Sequence, residues 1–225
     1  MTATSFELER CDGKRMHCLR WSPDGAVRGV VQIAHGMAEY AARYDGVARA
    51  LVDAGYAVYA GDHRGHGGSV REDADLGRLG PAGWKGVLCD LHVLSDTIRA
   101  THPAQPLFLL GHSWGSMLGQ AYAQQWGSEL KGLILSGSNG ADPLVAPGVL
   151  LARLVVACRG ADRQAVLLDK LSVGSLNKAF EPGATGKEWL SRDPEEVRRY
   201  VDDPRCGFPC PNSFFLELLR LLHAT

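Results

Sequence analysis

The sequence has almost no charge imbalance, no long apolar run and no paired cysteine spacing, and each absence removes a class of protein. Its 24 Lys and Arg residues meet 25 Asp and Glu, a formal net charge of −1. No basic tail or stripe breaks that balance, which argues against nucleic acid as a partner. The opening residues MTATSFELER contain no apolar core of the kind a secretory signal needs. No uninterrupted apolar stretch approaches the roughly 20 residues that cross a bilayer. The expected location is the cytoplasm, and the expected state of the cysteines is reduced. Cys11, Cys18, Cys89, Cys158, Cys206 and Cys210 lack CxxC spacing, so no zinc site is expected. CGFPC could close a small loop between Cys206 and Cys210, but two free thiols is the simpler reading. Internal repeats and low-complexity tracts are missing too.

What is present is an ordinary globular composition, 45% hydrophobic and 22% charged over 225 residues. That suits one domain, with or without an insertion. In the first half, strand and helix patterns alternate. SFELER and RMHCLRW flank CDGK, and Asp-Gly between strand-like runs signals a hairpin. GVVQIA (29–34) is a continuous β-branched run, as in a strand buried on both faces. Val47, Ala48, Leu51 and Val52 have helical spacing, closed by Gly55. Strands follow at YAVYAGD (56–62), PLFLL (106–110) and KGLILSG (131–137). Helices are expected from Trp84 to Ala100 and from Ser113 to Gln125. This alternation predicts an α/β protein, a mostly parallel sheet with helices on both faces. It stops near Asn139. Residues 1–140 are therefore read as the core, and 141–225 as a helical cap without strands. In that second part Asp193 is placed to cap a helix, with Pro194 in its first position and Glu196 to complete a capping box.

Three stretches carry chemistry. Gly111-His112-Ser113-Trp114-Gly115 fits G-x-S-x-G between a buried strand and a helix, the setting of a nucleophile elbow. Ser113 is the candidate nucleophile. Gly111 and Gly115 are expected because side chains there would strike neighbouring backbone. AHGMAEY directly follows the 29–34 strand. Its His35-Gly36 pair is read as shaping a loop that presents the Met37 backbone N–H, with the Trp114 N–H as the second oxyanion donor. His35 is thus structural rather than a general base. GDHRGHGGS (61–69) is a glycine-rich turn in which Arg64 fixes the loop. His63, His66 and Asp62 lie together there, but with no fourth ligand at suitable spacing no metal is expected.

Together these stretches resemble the α/β-hydrolases of the monoacylglycerol lipase and lysophospholipase group. HGMAEYAARY is similar to that group's H-G-x-x-E-x-x-x-R-Y, and DHRGHGGS to its D-x-R-G-x-G-x-S. GHSWGS is similar to its G-H-S-M-G elbow, with Trp114 in place of methionine. The resemblance spans Phe6 to Asn139. It implies an eight-stranded, mostly parallel sheet and cofactor-free hydrolysis of carboxylic esters, typically of single-chain lipids. It also implies a small-molecule ester as the partner, peripheral membrane contact through the cap, and no protein partner. Related members cleave amides.

Such enzymes place an acid and then a histidine after the serine, each following a strand. Here the sequence runs to LLRLLHAT without either strand, so the last strands, the acid and the base are expected beyond residue 225. His223, the one histidine after Ser113, lies at the end of an amphipathic helix. Three functions stay open: a truncated esterase, an inactive acyl-chain binder, and amide hydrolysis on the same fold.

Overall fold

The structure, a computed structural model, describes residues 2–140, 142–180, 183 and 185–225, with the side chain of residue 175 also left aside. Its sheet contains β1 (Thr4–Glu9), β2 (Arg15–Trp21), β3 (Gly29–Ala34), β4 (Tyr56–Gly61), β5 (Leu107–His112) and β6 (Gly132–Ser136), in the order β1-β2-β4-β3-β5-β6. β1 pairs antiparallel with β2 as the hairpin at CDGK requires, and β2 pairs antiparallel with β4. β4, β3, β5 and β6 are mutually parallel.

Burial explains why β3 sits at the centre. All six of its residues are buried, because α1 (Asp45–Asp53) and α2 (Gly83–Thr101) cover opposite faces. Val31 and Ile33 pack with Ala48 and Val52 of α1, whereas Val30 packs with Leu94 and Ile98 of α2. The one polar residue of the strand, Gln32, is satisfied inside. Its Nε2 donates to the Leu91 carbonyl at 2.8 Å, and its Oε1 accepts from Ser95 at 2.6 Å. β6 differs. It pairs only with β5 among the described residues, and Ile134 and Leu135 remain 50% and 40% exposed.

α3 (Trp114–Trp126) follows β5 directly. Beyond β6 come α4 (Val145–Arg159), α5 (Val166–Leu171), α6 (Pro194–Asp202) and α7 (Asn212–Ala224). Val149, Ala152 and Val155 of α4 share one hydrophobic cluster with Phe214, Phe215 and Leu221 of α7 and with Trp114 and Leu118 of α3. Asp193 caps α6 by accepting the Glu195 N–H at 2.9 Å. The expected capping box does not form. The Glu196 carboxylate pairs forward with Arg199 at 2.6 Å, and the Asp193 N–H donates to Ser191 Oγ instead.

The expectation of reduced cysteines is corrected at one pair. Cys11, in the β1–β2 turn, and Cys89, in α2, form a disulfide across 78 residues of sequence. Their Cα atoms lie 6.3 Å apart, within the range a disulfide spans. Cys18, Cys206 and Cys210 are free and buried, and Cys158 is free and exposed. Among the described residues no helix is long and apolar enough to cross a membrane.

Candidate active site

Ser113 is the last residue before α3, and its backbone is turned to φ +50°, ψ −117°. Among the described residues only Ala38 and Ser113 carry a positive φ without being glycine. Such a conformation costs about 1–3 kcal/mol and persists only where the surroundings enforce it. Here the enforcement is visible. The Ser113 N–H donates to the Ser136 carbonyl of β6 at 2.8 Å. A Cβ on Gly111 would lie 2.7 Å from Ser116 Cα. One on Gly115 would collide with the Ala34 carbonyl and lie 2.6 Å from the His35 oxygen. Both glycines are therefore required, since α3 packs onto the ends of β3 and β5 with no room for a methyl group.

The turn changes what the serine does. A serine preceding a helix usually accepts a hydrogen bond from the first-turn amides. Ser113 makes no side-chain cap, and its hydroxyl has no hydrogen-bond partner among the described residues. It is half-buried beside the N-terminus of a 13-residue helix, where unpaired amides favour negative charge.

The loop after β3 is held just as firmly. Glu39 accepts from the Gly36 N–H at 2.6 Å and from the Tyr44 hydroxyl at 2.7 Å, and pairs with Arg43 at 3.3 Å. Asp62 accepts from the Ala41 N–H at 2.8 Å and from the Gly68 N–H at 2.7 Å. Three buried histidines fill the space behind. His35 Nδ1 donates to the Gly36 carbonyl at 2.8 Å, while its Nε2 accepts the His63 N–H at 2.9 Å. His66 Nδ1 donates to the Arg64 carbonyl, and its Nε2 accepts the Ala38 N–H at 3.2 Å. Both nitrogens of His35 are thus engaged, which leaves none to take a proton from Ser113. Burial holds all three rings in the neutral form by pushing their pKa values down, that of His66 to about 3. Among the described residues no group of three or more His, Cys, Asp or Glu side chains is arranged to hold a metal ion.

Amid these bonds two backbone donors are left over. Neither the Met37 nor the Trp114 N–H has a hydrogen-bond partner among the described residues. The Gly115 contact with Ala34 and His35 brings the two loops that carry them together. The Trp114 indole is buried 5.1 Å from the Phe214 ring, and its Nε1 is also without a partner.

Arg64 fixes the 61–69 turn as its position suggests, through a partner the sequence does not point to. Its Nε and Nη2 grip Asp90 of α2 at 2.6 and 2.9 Å. Asp90 and the bonding role of His66 carry no individual signal in the sequence, whereas Glu39 and its partners Arg43 and Tyr44 are the E, R and Y of the HGMAEYAARY stretch. The helical region contributes too. The Tyr40 hydroxyl donates to Asp203 at 2.6 Å, the Gly207 N–H donates to the Ala38 carbonyl at 2.9 Å, and Phe208 lies against His66. Residues 203–208 thus rest directly on the loop after β3.

No imidazole meets the Ser113 hydroxyl among the described residues. His112 turns its Nδ1 to Ser136 Oγ at 3.1 Å. His92 lies between Glu129 and Asp96 and stacks on Trp126. His223 is exposed in the last turn of α7.

A family model described as serine aminopeptidase, S33, matches residues 25–225. A monoacylglycerol lipase of Mycolicibacterium smegmatis is 36% identical over 184 residues, which cover 82% of this chain and 58% of that protein. The human monoglyceride lipase is 29% identical over 223 residues, covering 95% of this chain and 64% of that protein. A solved thermostable carboxyl esterase from Bacillus coagulans, in complex with glycerol, superposes with a TM-score of 0.88 at 26% identity, over 99% of this chain and 73% of the esterase. The chain therefore spans 58% and 64% of the length of these two lipases. With the α/β-hydrolase sheet, the strained serine turn and a family match over most of its length, this chain belongs to the serine aminopeptidase family.

Proposed function

We propose that the chain carries the nucleophile and oxyanion donors of a serine hydrolase acting on carboxylic esters of single-chain lipids, monoacylglycerols or lysophospholipids. The observation that carries this is Ser113, held at a positive φ with its hydroxyl unpaired beside the free N–H groups of Met37 and Trp114. Ser113 Oγ attacks the ester carbonyl. The carbonyl oxygen gains negative charge and is held by the two amides, each worth about 3 kcal/mol of barrier by analogy with measured deletions. The C–O bond to the alcohol breaks, leaving an acyl group on Ser113, and water then releases the acid. His35, Gly36, Gly111 and Gly115 act by holding this geometry.

The attack requires a base, because a serine hydroxyl is a poor nucleophile at neutral pH. Among the described residues no imidazole meets Ser113, and the base and its acid belong to a part of the protein outside residues 1–225. Residues 141–225 act as the lid, and their apolar helices line the acyl site. The names of the M. smegmatis and human relatives support lipid esters. The test is a series of p-nitrophenyl esters given to residues 1–225 extended by a C-terminal segment that supplies an aspartate and a histidine. Turnover should rise from acetyl towards medium and long acyl chains. A steady fall with acyl length, or preference for an aminoacyl anilide, would overturn the lipid assignment.

A further inference from the structure

A cavity of about 500 Å³ opens between the β1–β2 turn and the loop after β4, and none of Ser113, Met37 or Trp114 lines it. Its wall includes Arg10, Lys14, Arg15, Arg64, Arg71 and Arg78. That is a quarter of the 24 basic residues of a nearly neutral chain, facing one hollow. Asp12 and Asp75 are the carboxylates among its lining residues.

The wall is built rather than merely exposed. The side chains of Arg10 and Arg64 are only 7% and 4% exposed. Both grip Asp12, at 3.2 and 3.3 Å, and Arg64 is held from behind by Asp90. The Cys11–Cys89 disulfide anchors the turn between them, and the Cys11 N–H also donates to Asp90 at 3.1 Å. Asp12 and Asp90 together offset the charges of Arg10 and Arg64, so the charge left over the hollow is that of the other four cations. At Asp12 itself burial pushes the carboxyl pKa up, but the Lys14 N–H and the charges of Arg64, Arg10 and Lys14 outweigh that and hold it below its ordinary value. At the mouth, Arg15 and Arg78 have only loose exposed partners, each at 3.7 Å. Lys14 and Arg71 make no ion pair among the described residues.

We infer that this cavity binds a phosphate monoester, its dianion held by Lys14 and Arg71 at the mouth and by the fixed guanidinium wall behind. A dianion matches the surplus of several positive charges better than a single carboxylate does. Planar guanidinium forks suit phosphate oxygens, and the volume leaves room for a small organic group beyond the phosphate. Because the turn is already clamped, little ordering entropy opposes binding. The floor belongs to the loop whose His66 holds Ala38, so the ligand would rest on the support of the Met37 segment.

The test uses residues 1–225 and does not depend on esterase activity. Calorimetric titration with glycerol 3-phosphate should give saturable one-to-one binding that potassium chloride at equal ionic strength does not reproduce. K14A/R71A, both at exposed positions, should raise Kd about tenfold or more, a change of about 1.4 kcal/mol per factor of ten. R153A/R192A, exposed and outside the cavity, should leave it unchanged. Flotation with phosphatidylcholine vesicles, with and without phosphatidic acid, distinguishes the source of the phosphate. Binding to phosphatidic acid vesicles alone, lost in K14A/R71A, places the monoester on a lipid headgroup. No saturable binding in either arm, or binding that K14A/R71A leaves unchanged, overturns the inference.

Discussion

Gly115→Ala tests the argument that the elbow and the loop after β3 are locked together. The added methyl would meet the carbonyl groups of Ala34 and His35, the latter oxygen at 2.6 Å. These are backbone atoms at the end of the central strand, so no rotamer change relieves the contact. Overpacking of this kind costs about 1–3 kcal/mol, and an unyielding neighbour puts it at the upper end, about 3. Replacing glycine by alanine inside a helix returns about 1 kcal/mol. The net loss is about 2 kcal/mol, which in a chain of this size lowers Tm by roughly 4–8 °C. Gly119→Ala, one turn further along α3, is the control. Its methyl would meet the side-chain ends of Leu135, Leu133 and Leu109 at 3.2, 3.3 and 4.0 Å, which can move aside, so it should keep the helix gain and be stabilised by up to about 1 kcal/mol. Thermal melts followed by circular dichroism compare the two. In the active, extended protein Gly115→Ala should also cut turnover by about 100-fold, the usual penalty for displacing a site by about 1 Å. A Gly115→Ala protein that melts at or above the wild-type temperature would refute the packing argument.

Two further outcomes follow from buried groups. Reducing the Cys11–Cys89 disulfide, or making the Cys11→Ser/Cys89→Ser variant, should destabilise the chain by about 2–4 kcal/mol, because a long loop is released in the unfolded state; an unchanged melting temperature in reductant would contradict this. The second concerns pH. His35, His63 and His66 are held neutral in the folded state, chiefly by burial, with pKa values below those of the unfolded chain. Their stability contribution is complete above the unfolded value of about 6.5 and is lost as pH falls below it, at up to about 1.4 kcal/mol per pH unit for each proton. His17, raised chiefly by its hydrogen bond to Asp62, works in the opposite sense. It is one partly exposed ring against three buried ones, so Tm should fall between pH 7 and pH 5. A flat or rising Tm over that interval would show that the three rings are not held neutral.

The parts of the fold legible in sequence are those set by local pattern. β3 reads as buried because its apolar run is unbroken. The elbow reads as an elbow because its two glycines bracket a serine between a strand and a helix, and in the structure a Cβ at either glycine would meet backbone atoms. What was not legible joins distant segments. Cys11 and Cys89 stand 78 residues apart, and only the fold shows that the hairpin turn reaches α2. The Tyr40–Asp203 bond spans 163 residues, and the grip of Arg64 on Asp90 lies between loop and helix. Glu196 shows a local pattern failing by competition. A capping box and an i, i+3 ion pair draw on the same carboxylate, and Arg199 takes it.

The most direct measurement is turnover of a p-nitrophenyl ester, with fluorophosphonate labelling read by mass spectrometry. It compares residues 1–225 alone with the same residues extended by a segment supplying an aspartate and a histidine. Residues 1–225 alone should show little hydrolysis, unchanged by His223→Ala. The extended chain should turn over and carry the label on Ser113, with both lost in Ser113→Ala. Vigorous hydrolysis by residues 1–225 that disappears with His223→Ala, or turnover of the extended chain that survives Ser113→Ala, would contradict the account.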